Sequence, residues 1–455
     1  MKLRRPVLTV LVAGVLFLVA VIAIWRISIG SANNNRLRAI AARGEPVDLA
    51  ALDKFYAPVP DNSNAALVWL RGAAAMTEDT NRSMSKVSFK WSVPLSDEEL
   101  EVGVSVVSSN KGALTLFRTA AALPQGRYPV NLNQIPSTNF HHWNSVKAAA
   151  QLLRTEAAVA AHQNDDARAV DAIRCIFAAG GSLETEPVLI SQLVRYAVNL
   201  IGVQAMQFAL NRTSFGDAEL QTIQVAAANA DEQESLRLAL LGERASVITV
   251  LRDPQALLAG DPTLAPTGAE GVLAEAFAYP LMRAVGFWQR DLRFGIDALT
   301  TNLLFAGLPA PQRFQSATNA EAIAERARDG RYVMTSLLLP ALQKAFTRDA
   351  LHSAEVRNTV VALAVERFRM ANNGQLPADV TALIPQFLEK LPVDPFDGGP
   401  VRYKRTDRGY VVYCIGPDER DNGGLEKPAK VKDTDPWDVT FIVARPAPKP
   451  KEAND

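Results

Sequence analysis

The chain has 455 residues, enough to bury more than one hydrophobic core. Apolar residues make up 48% and charged residues 21%, which are ordinary values for a folded protein. The 48 Lys and Arg residues balance the 48 Asp and Glu residues, so the formal net charge is zero. Nucleic-acid-binding proteins and polybasic membrane-surface proteins carry a basic excess, and this balance argues against both classes.

The N-terminus carries an apolar segment long enough to span a bilayer. A basic tail precedes an uninterrupted apolar run from Val7 to Trp25. A helix of this length reaches roughly 28 Å, close to the ~30 Å hydrocarbon core. Small residues at 30–32 leave signal-peptide cleavage open as an alternative. We predict a single-pass anchor over residues 1–30, in the inner membrane, with the bulk of the chain periplasmic.

Residues 31–350 have the apolar periodicity of helices separated by short breaks. The segment Asp-Asn-Ser-Asn at 61–64 supplies N-cap chemistry for one helix, and Ser96 with Glu99 forms a capping-box pattern for another. From 143 to 252 the helical pattern is nearly continuous, with Ala-rich faces and turns of a few residues. We therefore predict a mainly α protein with a repeat-like body of helical hairpins, although no regular period is visible.

The pattern changes near residue 372, where Pro, Gly and short alternating segments replace the helical periodicity. Residues 401–405 and 410–415 read as two strands of a hairpin, and 439–443 as a third strand. We predict a small α+β module with an antiparallel sheet over 351–444. The Pro- and Lys-rich end, 445–455, is expected to be a disordered tail.

The C-terminal region resembles the globular module of type II secretion major pseudopilins. The resemblance rests on Asn-Gly-Gln-Leu-Pro at 373–377, on Leu-Pro-Val-Asp-Pro-Phe-Asp-Gly-Gly-Pro-Val-Arg-Tyr at 391–403, and on Tyr-Cys-Ile-Gly-Pro-Asp-Glu-Arg-Asp-Asn-Gly-Gly at 413–424. It covers about residues 355–443 and implies a pilin-like fold with a structural Ca²⁺ site. The residues in the matching positions are Asp418, Asp421, Asn422 and Asp438.

Two features depart from that family. Some 330 residues separate the anchor from the module, and no prepilin-type cleavage motif surrounds the anchor. We therefore do not expect the chain to polymerise into a pseudopilus. The alternative to calcium is a solvated Asp/Gly turn, because such turns are common in hairpin-rich modules.

The whole layout also resembles a group of uncharacterised single-pass membrane proteins of planctomycete-type bacteria. The residues that carry this resemblance are Ala-Ala-Arg-Gly-Glu-Pro at 41–46 and Pro-Val-Pro-Asp-Asn-Ser-Asn-Ala-Ala at 58–66. This likeness implies an architecture and no activity.

No serine-hydrolase, zincin or nucleotide-binding motif occurs in the sequence. The adjacent His141 and His142 make a poor chelate, because neighbouring side chains point to different sides of a helix, and a surface role at a helix start is favoured. Carboxylates that could face a groove are Glu184, Glu186 and Glu243.

We predict a non-enzymatic cell-envelope protein that binds a protein partner. Two alternatives stay open: an accessory of a type II secretion or pilus-like system, and an extracytoplasmic hydrolase that uses acidic residues of the helical body. The two cysteines, Cys175 and Cys414, lie in different predicted domains, so a disulfide between them is not favoured.

Overall fold

The computed structural model describes residues 5–134, 140–231, 234–253, 279–428 and 435–444. In these ranges the protein is mainly helical, with one three-stranded antiparallel sheet near the C-terminus. The helices up to residue 121 are α1 (Arg5–Ala42), α2 (Leu49–Phe55), α3 (Ala65–Ala74), α4 (Thr80–Met84), α5 (Asp97–Ser109) and α6 (Lys111–Ala121). The next five are α7 (His142–His162), α8 (Asp166–Gly181), α9 (Leu189–Leu210), α10 (Asp217–Ala230) and α11 (Ser235–Arg252). The last four are α12 (Tyr279–Ala284), α13 (Phe287–Ala306), α14 (Gln312–Asp329) and α15 (Val333–Ala371).

Local capping chemistry begins several helices where the sequence predicts. The Ser96 side chain accepts from the backbone N–H of Glu99, and Glu99 reaches back to the N–H of Ser96, which completes the capping box of α5. The Asn64 side chain accepts from the N–H of Ala66 and begins α3. These starts are confirmed because capping depends on residues only a few positions apart.

Among the described residues, the helices pack mainly around two large buried clusters. In the larger cluster α7, α8, α9 and α10 pack with α15 and with the sheet. The smaller one lies between α11, α13, α14 and the first half of α15. The body is therefore a packed helical assembly, while its arrangement as a series of hairpins stays a prediction.

The sheet has the order β1 (Arg402–Thr406), β2 (Gly409–Cys414) and β3 (Val439–Ala444). Both neighbouring pairs are antiparallel, so the predicted hairpin and third strand are confirmed. Tyr410 donates its hydroxyl to the carbonyl of Ala362, and the Asn358 amide donates to the carbonyl of Val439. The sheet thus packs on α15.

The predicted boundaries at 30 and 350 fall inside helices. α1 continues without a break to Ala42, and α15 is a single helix of 39 residues. The larger core contains Val361 of α15 and Phe441 of β3 together with Leu153 of α7. The body and the sheet therefore share one core. The predicted tail, 445–455, lies outside the described residues.

Among the described residues, two helices are long and apolar enough to cross a membrane. The window in α9 is 72% buried inside the protein, so α9 is a core helix. In α1 the apolar window is 0% buried, and large side chains such as Phe17 (73% exposed) face outward. This N-terminal helix is compatible with a membrane anchor.

Candidate functional site

The four predicted calcium residues all lie in the segment between β2 and β3. Among them, Asp438 is buried and lies directly before β3. Asp438 is 1% exposed, and its two carboxylate oxygens accept N–H donors of the loop itself. One oxygen accepts from the backbone and side-chain amides of Asn422, and the other from the backbone of Gly424 and Leu425. Burial raises the pKa of Asp438 against these hydrogen bonds. The carboxylate therefore holds the loop to the sheet directly.

Asp421 turns away from this centre and binds Arg402 of β1. The Arg402 guanidinium also binds Asp394 at 2.8 Å and Asp397 at 2.5 Å, and its Nε lies 3.1 Å from Asp421. The backbone N–H of Ile415 also donates to the Asp394 carboxylate, which joins this cluster to the end of β2. The Arg402 guanidinium therefore lies between the carboxylates of Asp394, Asp397 and Asp421.

The four predicted ligands do not form a cation cage in this arrangement. The Asn422 amide group donates to both Asp418 and Asp438, so N–H groups stand where Ca²⁺ would need oxygens. Throughout the described ranges, no group of three His, Cys, Asp or Glu side chains has the geometry to hold a metal. Calcium binding by Asp418, Asp421, Asn422 and Asp438 therefore stays a prediction.

A second polar cluster is buried where α7, α9 and the loop before α9 meet. The Glu186 carboxylate, fully buried, lies 3.1 Å from His142 Nε2 and accepts a hydrogen bond from the Ser191 hydroxyl. Trp143 donates its indole N–H to Ser191 at 3.0 Å. The Tyr128 ring stacks on the His142 imidazole with centroids 4.4 Å apart.

This cluster has the residue types of a catalytic site but not the arrangement. A serine nucleophile is activated by a hydrogen bond to a base such as histidine, whereas Ser191 donates to the carboxylate. Glu186, Ser191 and His142 are all buried, at 0%, 0% and 4% exposure. The contacts instead join α7 to the start of α9.

The other carboxylates considered for hydrolysis do not converge on Glu186. Glu243 accepts from the backbone N–H of Leu189 at the start of α9, and burial raises its pKa against that hydrogen bond. Glu184 lines an open groove on the surface of the body. The surface role predicted for His142 is wrong, because its ring is sealed against Tyr128 and Glu186. Cys175 and Cys414 are both buried and free.

Polar residues that follow the apolar run fasten α1 to α13. Asn33 is 2% exposed and donates to the backbone and side-chain oxygens of Gln289, both at 2.9 Å. Arg36 forms a two-point ion pair with Asp297, at 2.7 and 3.1 Å. We name this set, Asn33 with Gln289 and Arg36 with Asp297, the α13 clamp.

A second attachment lies just beyond α1. Arg244 of α11 is fully buried, and its Nη2 lies 2.6 Å from the Glu45 carboxylate. Arg43 and Arg237 lie 3.1 and 3.6 Å from the same carboxylate. Burial alone would raise the pKa of Glu45, but the guanidiniums of Arg43 and Arg244 outweigh it and lower that pKa. We name Glu45 with Arg244 the α11 clamp.

Sequence reasoning missed both clamps, although signals were present. Glu45 belongs to the segment 41–46 that carried one of the resemblances, and Asn33 and Arg36 are polar residues 8 and 11 positions after Trp25, where the apolar run ends. Their partners lie more than 190 positions away in the chain, at separations of 199 for Arg244 and 261 for Asp297. No local pattern identifies such a pairing.

Comparison with protein-family models, with curated proteins and with solved structures finds no match.

Proposed function

We propose that the protein is a single-pass membrane protein that holds a rigid helical body outside the cytoplasm, where the body binds a protein partner without catalysing a reaction. The observation that carries this proposal is the attachment of α1 to the body. The apolar part of α1 is 0% buried, and the same uninterrupted helix is attached to the body by the α13 clamp. The α11 clamp attaches the chain to the body just beyond the end of α1.

The clamps favour a positioning role over a simple tether. A flexible linker would leave the body free to rotate about its anchor. Here Ile29 and Ile40 of α1 are buried, at 6% and 2% exposure, and Ile40 belongs to the smaller core. An anchor that is part of the core sets the distance and the orientation of the body relative to the bilayer.

An apolar groove on the body supports the interaction role. Its volume is about 350 Å³, and Phe55, Leu238 and Leu241 line it, with Glu184 and Arg237 at its rim. Phe55 is 42% exposed, so a large aromatic side chain is accessible in the groove. We propose that the groove takes an apolar side chain of a partner protein.

Topology is tested with reporters fused to the C-terminus of the full-length chain. Alkaline phosphatase folds only outside the cytoplasm, and green fluorescent protein exported in unfolded form fluoresces only inside it. We expect an active phosphatase and a dark fluorescent fusion, with both proteins recovered in the membrane fraction. A fluorescent fusion, or recovery in the soluble fraction, would reject the anchor.

Partner binding is tested by photocrosslinking in intact membranes. A photoreactive amino acid at Phe55 is compared with the same group at Val225, which is 52% exposed on α10 and outside the groove. We expect a discrete adduct from position 55 alone, and its loss when Leu238→Asp is added. Equal adducts at both positions, or an adduct that survives Leu238→Asp, would reject the groove.

No specific observation favours the two other functions. The secretion-system role rests on the pilin-like resemblance, and the hydrolase role on carboxylates that hold helices together.

A further inference from the structure

The start of α13 lies beside the end of the apolar run of α1. Three successive contacts join the helices: Trp25 with Gly286, Asn33 with Gln289, and Arg36 with Asp297. Residue numbers rise together in both helices, so they run parallel. The N-terminal end of α13 therefore points toward the apolar half of α1.

Gly286 is built for this close contact. A Cβ atom there would lie 2.5 Å from the Trp25 ring, and its φ of +70° is unfavourable for other residues. Trp25 is also the last residue of the apolar run, and tryptophan is enriched where lipid tails meet headgroups. The contact places Gly286 at the level of the membrane surface.

Helix α12 ends two residues before Gly286. Its six residues span about 9 Å, and with the two residue steps from Ala284 to Gly286 all of α12 lies within roughly 16 Å of Gly286. Leu281 is 63% exposed, and Val285, just beyond the helix, is 38% exposed. Two large apolar side chains thus face outward where the anchor enters the bilayer.

Exposed arginines outnumber exposed acids in α12 and the first half of α13. Between 279 and 297 the sequence contains Arg283, Arg290 and Arg293 and two acids, Asp291 and Asp297, and Asp297 is paired with Arg36. Asp291 is 1% exposed and accepts from the backbone N–H groups of Met334 and Thr335 at the start of α15. Its charge is therefore turned inward, whereas Arg283, two residues from Leu281, is exposed. Arg290 is exposed as well, but it donates to the carbonyl of Gly330 and lies over the Tyr332 ring.

We propose that α12 is an interfacial helix that rests on the lipid surface, with Leu281 and Val285 among the headgroups and Arg283 paired with anionic phospholipid. Amphipathic segments with apolar residues and arginines bind such surfaces by burial of apolar area together with attraction to phosphate. This inference rests on the proposed anchor, because α12 reaches a bilayer only if α1 spans one.

Spin labels measure the depth of each position. Leu281→Cys, Val285→Cys, Phe17→Cys and Leu304→Cys are labelled with a nitroxide in full-length protein. The proteins are reconstituted in nanodiscs of phosphatidylethanolamine and phosphatidylglycerol. Cys175 and Cys414 are 0% exposed, and unsubstituted protein controls for their labelling. The accessibility of each label is measured separately to molecular oxygen, which concentrates in lipid, and to a water-soluble nickel chelate. The ratio of the two accessibilities reports whether lipid or water surrounds the label.

Leu304 is the matched control, since it is 70% exposed on the far end of α13. We expect labels at 281 and 285 to favour oxygen, as at 17, and the label at 304 to favour nickel. If 17 favours oxygen but 281 and 285 match 304, the interfacial helix is rejected and the anchor stands. If 17 itself favours nickel, the anchor is rejected.

The contribution of Arg283 is tested by repeating the accessibility measurement in nanodiscs that contain phosphatidylcholine as the only lipid. We expect the oxygen preference at 285 to fall in these neutral discs, and Arg283→Glu to reduce it in the anionic discs. A preference at 285 that is unchanged by both changes would overturn the pairing of Arg283 with anionic lipid.

Discussion

Removing the carboxylate of the α11 clamp should destabilise the protein strongly. Glu45→Ala leaves the Arg244 guanidinium without its carboxylate partner, and the Arg244 side chain is 0% exposed. It also leaves Arg43 near that buried cation without its carboxylate, while Arg237 keeps only its pair with Glu234. An uncompensated buried charge is more costly than the pair it replaces.

The magnitude follows from burial. Breaking a buried ion pair from one side costs about 3–5 kcal/mol, and we expect about 3 kcal/mol here because Glu45 is 14% exposed and water can approach. Arg36–Asp297 is the matched comparison, because its side chains are 30% and 53% exposed. Asp297→Ala should therefore cost about 0–1 kcal/mol.

The double variant Glu45→Ala with Arg244→Met completes the test. Burial lowers the pKa of Arg244 in spite of its bond to Glu45, so desolvation of this cation opposes the attraction. Replacing both partners by apolar groups should then recover most of the lost stability.

The assay is urea unfolding of the full-length proteins in one detergent, followed by tryptophan fluorescence. The free-energy differences are compared across the single variants and the double variant. A cost for Glu45→Ala no larger than that for Asp297→Ala would refute the reasoning, and so would a double variant as unstable as Glu45→Ala.

Three further predictions concern other parts of the fold. A methyl group on Gly242 would overlap the backbone carbonyl oxygen of Pro187, so Gly242→Ala should lower the melting temperature. Gly181 has open space around it, so Gly181→Ala should leave the melting temperature unchanged or raise it. Asp438→Asn turns an N–H group toward donors and should cost about 1–3 kcal/mol in urea unfolding, against little for the exposed Asp418→Asn. Burial raises the pKa of Glu355 from 4.5 to about 7, so the folded state holds an extra proton in that range. Stability should fall as pH rises from 4.5 to 7, and Glu355→Gln should flatten that slope; an unchanged slope would contradict the assignment.

Much of the secondary structure could be predicted because its causes are local. The capping box at Ser96 and the run of apolar and aromatic residues in β2 each lie within a few positions, and both elements appear where predicted. The span of α9 followed from apolar spacing, but the same spacing passes the length test for a membrane helix. Only packing against α7 and α8 shows that α9 is a core helix.

The candidate sites were less predictable because they depend on distant partners. The acidic residues near 418–438 suggested an ion, but whether their oxygens face a common point depends on Arg402, which lies on another strand and binds Asp421. In the same way, the type of residue at 142 says nothing about Glu186, 44 positions away. Spacing can place residues on one element, but it cannot assign a charge to its partner.

The two clamps together constrain more than either does alone. A single contact between α1 and the body would fix a distance but permit rotation about the contact. The α13 clamp acts over Asn33 and Arg36 along one side of α1, and the α11 clamp acts beyond its end on a different helix. Attachment to two helices removes that rotation, so the face that carries Leu281 keeps one orientation relative to Trp25. The lipid contact that we propose for α12 therefore depends on the clamps. Loosening the α11 clamp by Glu45→Ala should weaken the oxygen preference of a label at 281 while leaving the label at 17 in lipid.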